Sequence, residues 1–160
     1  MSDAPRDLAA ALGRVSSGLY VVTTGTGDAA TGFLGSWVMQ AGFAPPAVTV
    51  AVQRDRPIRE LLARCGHFCI SVLAPSSMAL MKHFARGFGP GENAFAGIDT
   101  RFAECGVPFL PQAHAHLVCR VLGETAWSDH VIVCGEVLSG SCADLAEAPL
   151  THTRKNGLSY

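Results

Sequence analysis

The stretch Val21–Gly32, VVTTGTGDAATG, carries a β-branched apolar run straight into Gly25, Gly27 and Ala30. That G-x-G-x-x-A spacing is compatible with two very different folds. If the glycines open a helix whose N–H groups face a pyrophosphate, the chain is a doubly wound nucleotide-binding protein; if they turn the chain back on itself, it is antiparallel β. The following residues decide. Between Thr31 and Ala44, three glycines (Gly32, Gly35, Gly42) and two β-branched residues interrupt any helix before Pro45-Pro46 stops it. Residues Gly32–Gln40 therefore read as one strand, and the glycines as a hairpin turn that uses φ > 0.

The remaining segments extend this pattern. An opening helix has Ser2 or Asp3 as its cap, Pro5 in the first turn and Leu8, Leu12 and Val15 at helical spacing, with Gly18 as its expected end. AVTVAVQ, Ala47–Gln53, is a strand, the third in succession after GLYVVTT and Gly32–Gln40. DRPIRELLARCG reads as a short helix capped by Asp55, with Pro57 in its first turn, an Ile58, Leu61, Leu62 face and Gly66 at its end. HFCISVLA is again a strand, and SSMALMKHFA a helix capped by Ser76 or Ser77 with Met78, Met81 and Phe84 along one side. The glycine-rich loop Arg86–Gly97 is long enough to serve as a flap. From Ala113, two strands flank a turn at Ser128-Asp129, followed by a polar tail, PLTHTRKNGLSY. Many strands, three short helices and no regular β-α alternation predict one domain over residues 1–160, α+β and predominantly β, built on a barrel-like sheet.

Composition narrows the function. The net charge of −1, with no cluster of Lys or Arg, gives no footprint for nucleic acid and points to a small ligand. With 49% apolar and only 16% charged residues, polar surface is scarce for a solitary domain, so self-association is expected. No apolar run is long enough to span a membrane and no signal peptide is visible, which predicts a cytoplasmic protein with reduced thiols. Its six cysteines, free of any C-x-x-C, read as core residues, and no metal is expected. His114 and His116 share a strand face but lack a third ligand, so they read as half-exposed strand histidines. No hydrolase elbow or cysteine-protease signature occurs. What remains is polar residues at strand ends: Ser36 and Gln40, the turn Gln53 to Arg56, the helix end Lys82 to Ala85, and Ser128-Asp129-His130.

Five segments in this order, GLYVVTT, TGFLGSWVMQAGFAPPAVTVAVQRDRPI, LMKHFARGFGPGENAFAGI, SDHVIVCGEV and LTHTRKNGLSY, resemble the flavin reductase-like, FMN-binding split-barrel family. Within it they look most like the C-terminal reductase module of the diflavin flavoproteins. The resemblance implies a homodimeric split β-barrel with short flanking helices, binding FMN or FAD, with hydride transfer from NADH or NADPH to the flavin. It implies that Gly35, Ser36, Trp37, Val38, Met39 and Gln40 run along the isoalloxazine, and that Gln53, Arg54, Asp55 and Arg56 meet the ribityl phosphate. An arginine fork and a helix start suit a dianionic phosphate; either Arg54 or Arg56 can hold it. Lys82, Phe84 and Ala85 match a flavin-side segment, and His130 matches the histidine of a G-D-H turn on the nicotinamide side, with Ser128 standing where many relatives have glycine. His152, Arg154 and Tyr160 resemble the C-terminal flavin-side segment. In the diflavin flavoproteins the module is fused to a di-iron domain and a flavodoxin-like domain; neither fits within 160 residues, so only the reductase half is expected here. The reduced flavin would pass to a separate acceptor protein or monooxygenase, the alternative being a non-enzymatic FMN-binding electron carrier or flavin store.

Overall fold

The computed structural model describes residues 4–159. In chain order the elements are α1 (Ala4–Gly13), β1 (Ser17–Gly18), β2 (Tyr20–Thr24), β3 (Thr31–Gly35), β4 (Val38–Phe43), β5 (Pro46–Gln53), α2 (Pro57–Cys65), β6 (His67–Val72), α3 (Met78–Ala85), β7 (Arg101–Phe102), β8 (Pro108–Phe109), β9 (Ala115–Ala126), β10 (His130–Cys142) and β11 (Thr151–His152). Seven strands form one antiparallel sheet in the order β3-β2-β6-β9-β10-β5-β4. The protein is mostly β, as expected. Among the described residues no helix is long and apolar enough to cross a membrane.

The hairpin reading of VVTTGTGDAATG holds: β2 and β3 pair antiparallel, Thr24 opposite Thr31. Gly25 and Gly27 take φ of +81° and +55°, and a Cβ on Gly25 would lie 2.7 Å from the Ala29 carbonyl oxygen. Only glycine fits such a turn without strain. The expected single strand Gly32–Gln40, in contrast, is two strands. β3 and β4 are the opposite edges of the sheet yet are joined by Ser36 and Trp37 alone. Three Cα steps reach at most about 11 Å. The sheet must therefore curl until its edges approach at that corner, without closing by strand pairing: a split barrel.

Alternation sets which face is inside. Val48, Val50 and Val52 of β5 and Val131 and Val133 of β10 point inward and pack with Val22, Phe33, Phe68 and Ile70. Both faces of β2 are covered, since Val21 belongs to a second cluster, with Leu80, Phe84, Ala94 and Leu110, formed by α3 and the loop after it. Phe84, at 1% exposure, is worth about 3–5 kcal/mol on truncation to alanine.

Four local expectations change. α1 ends at Gly13, not Gly18, and Val15 lies exposed beyond it. The cause is the C-terminal tail, whose Arg154 and Gly157 N–H groups donate to the carbonyls of Gly13 and Ala9 at 2.9 and 2.7 Å. The Ser2 and Asp3 cap lies outside the described residues. In α2 the cap position is Arg56, not Asp55, because the Arg56 N–H turns back to the Gln53 carbonyl and Arg59 N–H then bonds to Arg56. Ser77 bonds Ala74 rather than capping α3, and Leu80 with Phe84 form its buried side. The loop Arg86–Gly97 is not a free flap, since Phe88, Ala94 and Phe95 pack on the second cluster and His83 Nε2 meets the Ala94 carbonyl at 2.8 Å. His114 is buried rather than half-exposed, while His116 stacks on Phe109 at 4.5 Å. The six cysteines are free; Cys69 and Cys119 are buried, and Cys142 is exposed rather than in the core.

Candidate functional site

Where the sheet edges converge, a cleft of ≈ 360 Å³ opens. That size lies within the ~300–1,000 Å³ of small-molecule sites. Phe33, Leu34, Gly35, Ser36 and Trp37 form one wall from β3 and the corner; Ala51, Val52 and Gln53 from the end of β5 form another, with Arg56, His130, His152 and Leu19 completing it. Phe33 and Val52 are buried and apolar. An apolar floor, a guanidinium and the peptide groups of an uncovered strand edge suit a flat heteroaromatic ring carrying an anionic tail.

Two neighbouring turns deliver the polar side chains. His130 begins β10 directly opposite Gln53 of β5, so strand register alone sets the two side by side. The Arg54 N–H donates to the Asp129 carbonyl at 2.9 Å, and its guanidinium donates to the Ser128 carbonyl at 2.7 Å. Arg54 thus locks the 128–129 turn. Arg56 instead lines the cleft, its guanidinium 5.1 Å from the centre of the Phe33 ring. Of the two arginines, Arg56 is presented to a ligand.

His130 is held on two sides. Its Nδ1 lies 2.8 Å from Asp129 Oδ1, and its ring sits 4.7 Å from that of Trp37 at a 53° tilt. The hydrogen bond from His130 is the main reason the Asp129 carboxyl sits below the usual carboxylate range. With Nδ1 turned to Asp129, Nε2 is the ring nitrogen offered to the cleft. On the tail, the Arg154 guanidinium lies 5.1 Å from the Trp37 ring centre, a contact worth ~0.5–1 kcal/mol at an exposed site. Pairing of β11 with β1, His152 opposite Ser17, carries that tail to the cleft.

The structure thus gathers Gly35, Ser36, Trp37, Gln53, Arg56, His130 and His152 on one cleft, with Arg154 behind Trp37. Val38, Met39 and Gln40 line a different, largely apolar cleft of ≈ 600 Å³. Arg54 and Asp55 are exposed beside the site without lining it, and Lys82, Phe84 and Ala85 lie on α3, where Phe84 is core and the other two are exposed. Tyr160 falls outside the described residues. Phe33 was not singled out from the sequence. Its place on the inward side of β3, two residues before Gly35, is the only signal that marks it.

A family model, the flavin reductase like domain, matches residues 12–157. Diflavin flavoprotein A 1 of Synechocystis sp. is 41% identical over 155 residues, 96% of this chain and 27% of its own length; putative diflavin flavoprotein A 2 of the same organism is 38% identical over 99% of this chain and 28% of its own. The chain spans about a quarter of the length of these curated relatives. Among solved structures, the NADH:FAD oxidoreductase SgcE6 of Streptomyces globisporus superposes with a TM-score of 0.82 at 27% identity, covering 90% of this chain and 86% of its own. A homolog of nitrilotriacetate monooxygenase component B from Mycobacterium thermoresistibile shares the fold, with a TM-score of 0.82 at 24% identity over 94% of this chain and 83% of its own. A split barrel with its cleft at the converging edges, matched over nearly its full length, places the chain in the flavin reductase-like domain family.

Proposed function

We propose that the chain is an NAD(P)H:flavin oxidoreductase, one domain that takes FMN or FAD in the cleft and receives hydride from NADH or NADPH. The observation that carries this reading is the pairing of Arg56 with a pinned His130 on one apolar-floored cleft. A bound flavin would supply the two-electron acceptor that no side chain can provide. The protein's own residues bind and orient. Arg56 and the start of α2 take the phosphate, the peptide groups of Gly35, Ser36 and Trp37 meet the ring edge, and Phe33 with Val52 exclude water beneath it. His130, held through Nδ1, directs Nε2 to the nicotinamide; hydride transfer itself demands no side-chain acid.

The relatives support the nucleotide pairing in name, SgcE6 being an NADH:FAD oxidoreductase that has been seen with NAD and FAD fragments. One of the neighbours sharing the fold is the reductase component of a two-component tryptophan halogenase, which supports handing reduced flavin to a separate oxygenase. A cytoplasmic homodimer is part of the proposal. Edge strand β4 exposes Met39 at 70% and Phe43 at 89% beside the apolar cleft, a surface that a second copy would cover. The test is loss of NADH and NADPH absorbance by purified protein with and without FMN or FAD, with its mass in solution measured alongside. Flavin-dependent turnover supports the reductase. A yellow protein that leaves both nucleotides untouched is instead an electron carrier.

A further inference from the structure

A third cavity, of ≈ 380 Å³, adjoins the flavin cleft and shares Phe33 and Arg56 with it. It runs between the hairpin turn Asp28–Gly32, the exposed side of α2 and the loop Phe88–Glu92. Nothing in the proposed hydride transfer uses it.

We infer that this cavity is the seat of the adenylate half of FAD, so that the chain accepts the dinucleotide flavin across both cavities and FMN in the first alone. The inference rests on the flavin-reductase reading of the first cleft. Its argument is connectivity. Arg56 is the cation assigned to the flavin phosphate, and it forms the boundary between the two spaces. In FAD, the adenylate is attached at that phosphate, so a chain continuing past Arg56 enters the second cavity. A nicotinamide nucleotide must enter with its ring against His130, which lines the first cleft only. That separation favours the flavin's adenylate over the nucleotide's.

The lining suits a nucleoside phosphate. Arg64, two turns along α2 from Arg56, adds a second cation for the second phosphate. Phe88 supplies an aromatic ring already paired with the Arg86 guanidinium 4.5 Å from its centre, a platform for a purine. Two carboxylates also face the space. Glu92 Oε2 accepts the Gly89 N–H at 2.5 Å, which ties it to its own loop, and Asp28 stands on the hairpin turn, where ribose hydroxyls are its natural donors. Gly32, on the wall, has no space for a side chain: a Cβ there would meet Thr23 Cγ2 at 2.9 Å and Phe84 at 3.2 Å.

The test is direct titration of the wild type, Arg64→Ala and Arg64→Glu with FAD, FMN and riboflavin, followed by flavin fluorescence, with AMP as competitor. Arg64 lies on the exposed side of a helix, where alanine keeps the helix intact. Loss of a phosphate contact weakens FAD roughly tenfold in Arg64→Ala, more in Arg64→Glu, and leaves FMN within about twofold. AMP displaces FAD and spares FMN. If FAD and FMN respond alike to both variants while binding remains measurable, the adenylate lies elsewhere and the inference is overturned. If the wild type binds no flavin at all, the failure belongs to the underlying reading of the first cleft.

Discussion

Replacing Arg56 by alanine separates the two arginines of one turn by what each one touches. Arg56 faces the cleft; Arg54 is spent on the Ser128 carbonyl. A hydrogen bond to a charged partner is worth ~1.5–3 kcal/mol, so losing one phosphate contact raises the FMN dissociation constant roughly 10- to 150-fold. Riboflavin lacks the phosphate. It feels only the loss of the guanidinium over Phe33, about 0.5–1 kcal/mol, or roughly two- to fivefold. The preference for FMN over riboflavin should therefore fall about tenfold, with a remnant from the N–H groups at the start of α2.

Arg54→Ala gives the opposite signature. It frees the 128–129 turn that positions His130, so it should raise the KM for the nicotinamide nucleotide while leaving the FMN to riboflavin ratio near that of the wild type. Fluorescence titrations with both flavins, paired with steady-state kinetics at saturating flavin, read all four quantities. Equal weakening of FMN and riboflavin by Arg56→Ala would refute the phosphate role. A phosphate-selective loss in Arg54→Ala would transfer it to the other arginine.

Three more perturbations probe other parts of the fold. Asp129→Asn removes the carboxylate that holds His130 Nδ1 and should lower kcat/KM for the nucleotide with flavin affinity unchanged; because the Asp129 carboxyl is depressed in the folded state, its stabilising hold is complete above the ordinary value of about 4 and is lost as pH falls through the folded one, which acid titration of the fold will show. Gly135→Ala drives a Cβ to 2.5 Å from the Phe68 ring and should cost ~1–3 kcal/mol, measured as a fall in the urea midpoint. Burial pushes the Cys69 and Cys119 thiols up to about 12, so iodoacetamide at pH 8 should label exposed Cys142 and spare those two until the protein unfolds, as peptide mass spectrometry will report.

What the sequence reveals is what neighbours along the chain decide. The turn at Gly25 and Gly27 needs φ > 0, and the alternation of Val48, Val50 and Val52 needs one buried face; both were legible because their causes lie within a few residues. The break at Ser36-Trp37 was not. No proline or polar run marks it, and it exists because β3 pairs with β2 at one edge of the sheet while the Trp37 carbonyl takes the Ala51 N–H at the other. The end of α1 is set in the same way by Arg154, from the far end of the chain. The candidate site inherits this division. That a phosphate-binding arginine lies between Gln53 and Pro57 could be read from residue type and a helix start, but the choice of Arg56 over Arg54 is made by a carbonyl at Ser128, 74 residues away from Arg54. The same bond that removes Arg54 from the ligand fixes the turn bearing His130. A single long-range clamp thus assigns both halves of the site, the arginine left free for phosphate and the histidine left facing the nicotinamide, and their roles should fail together only in a variant that opens that turn.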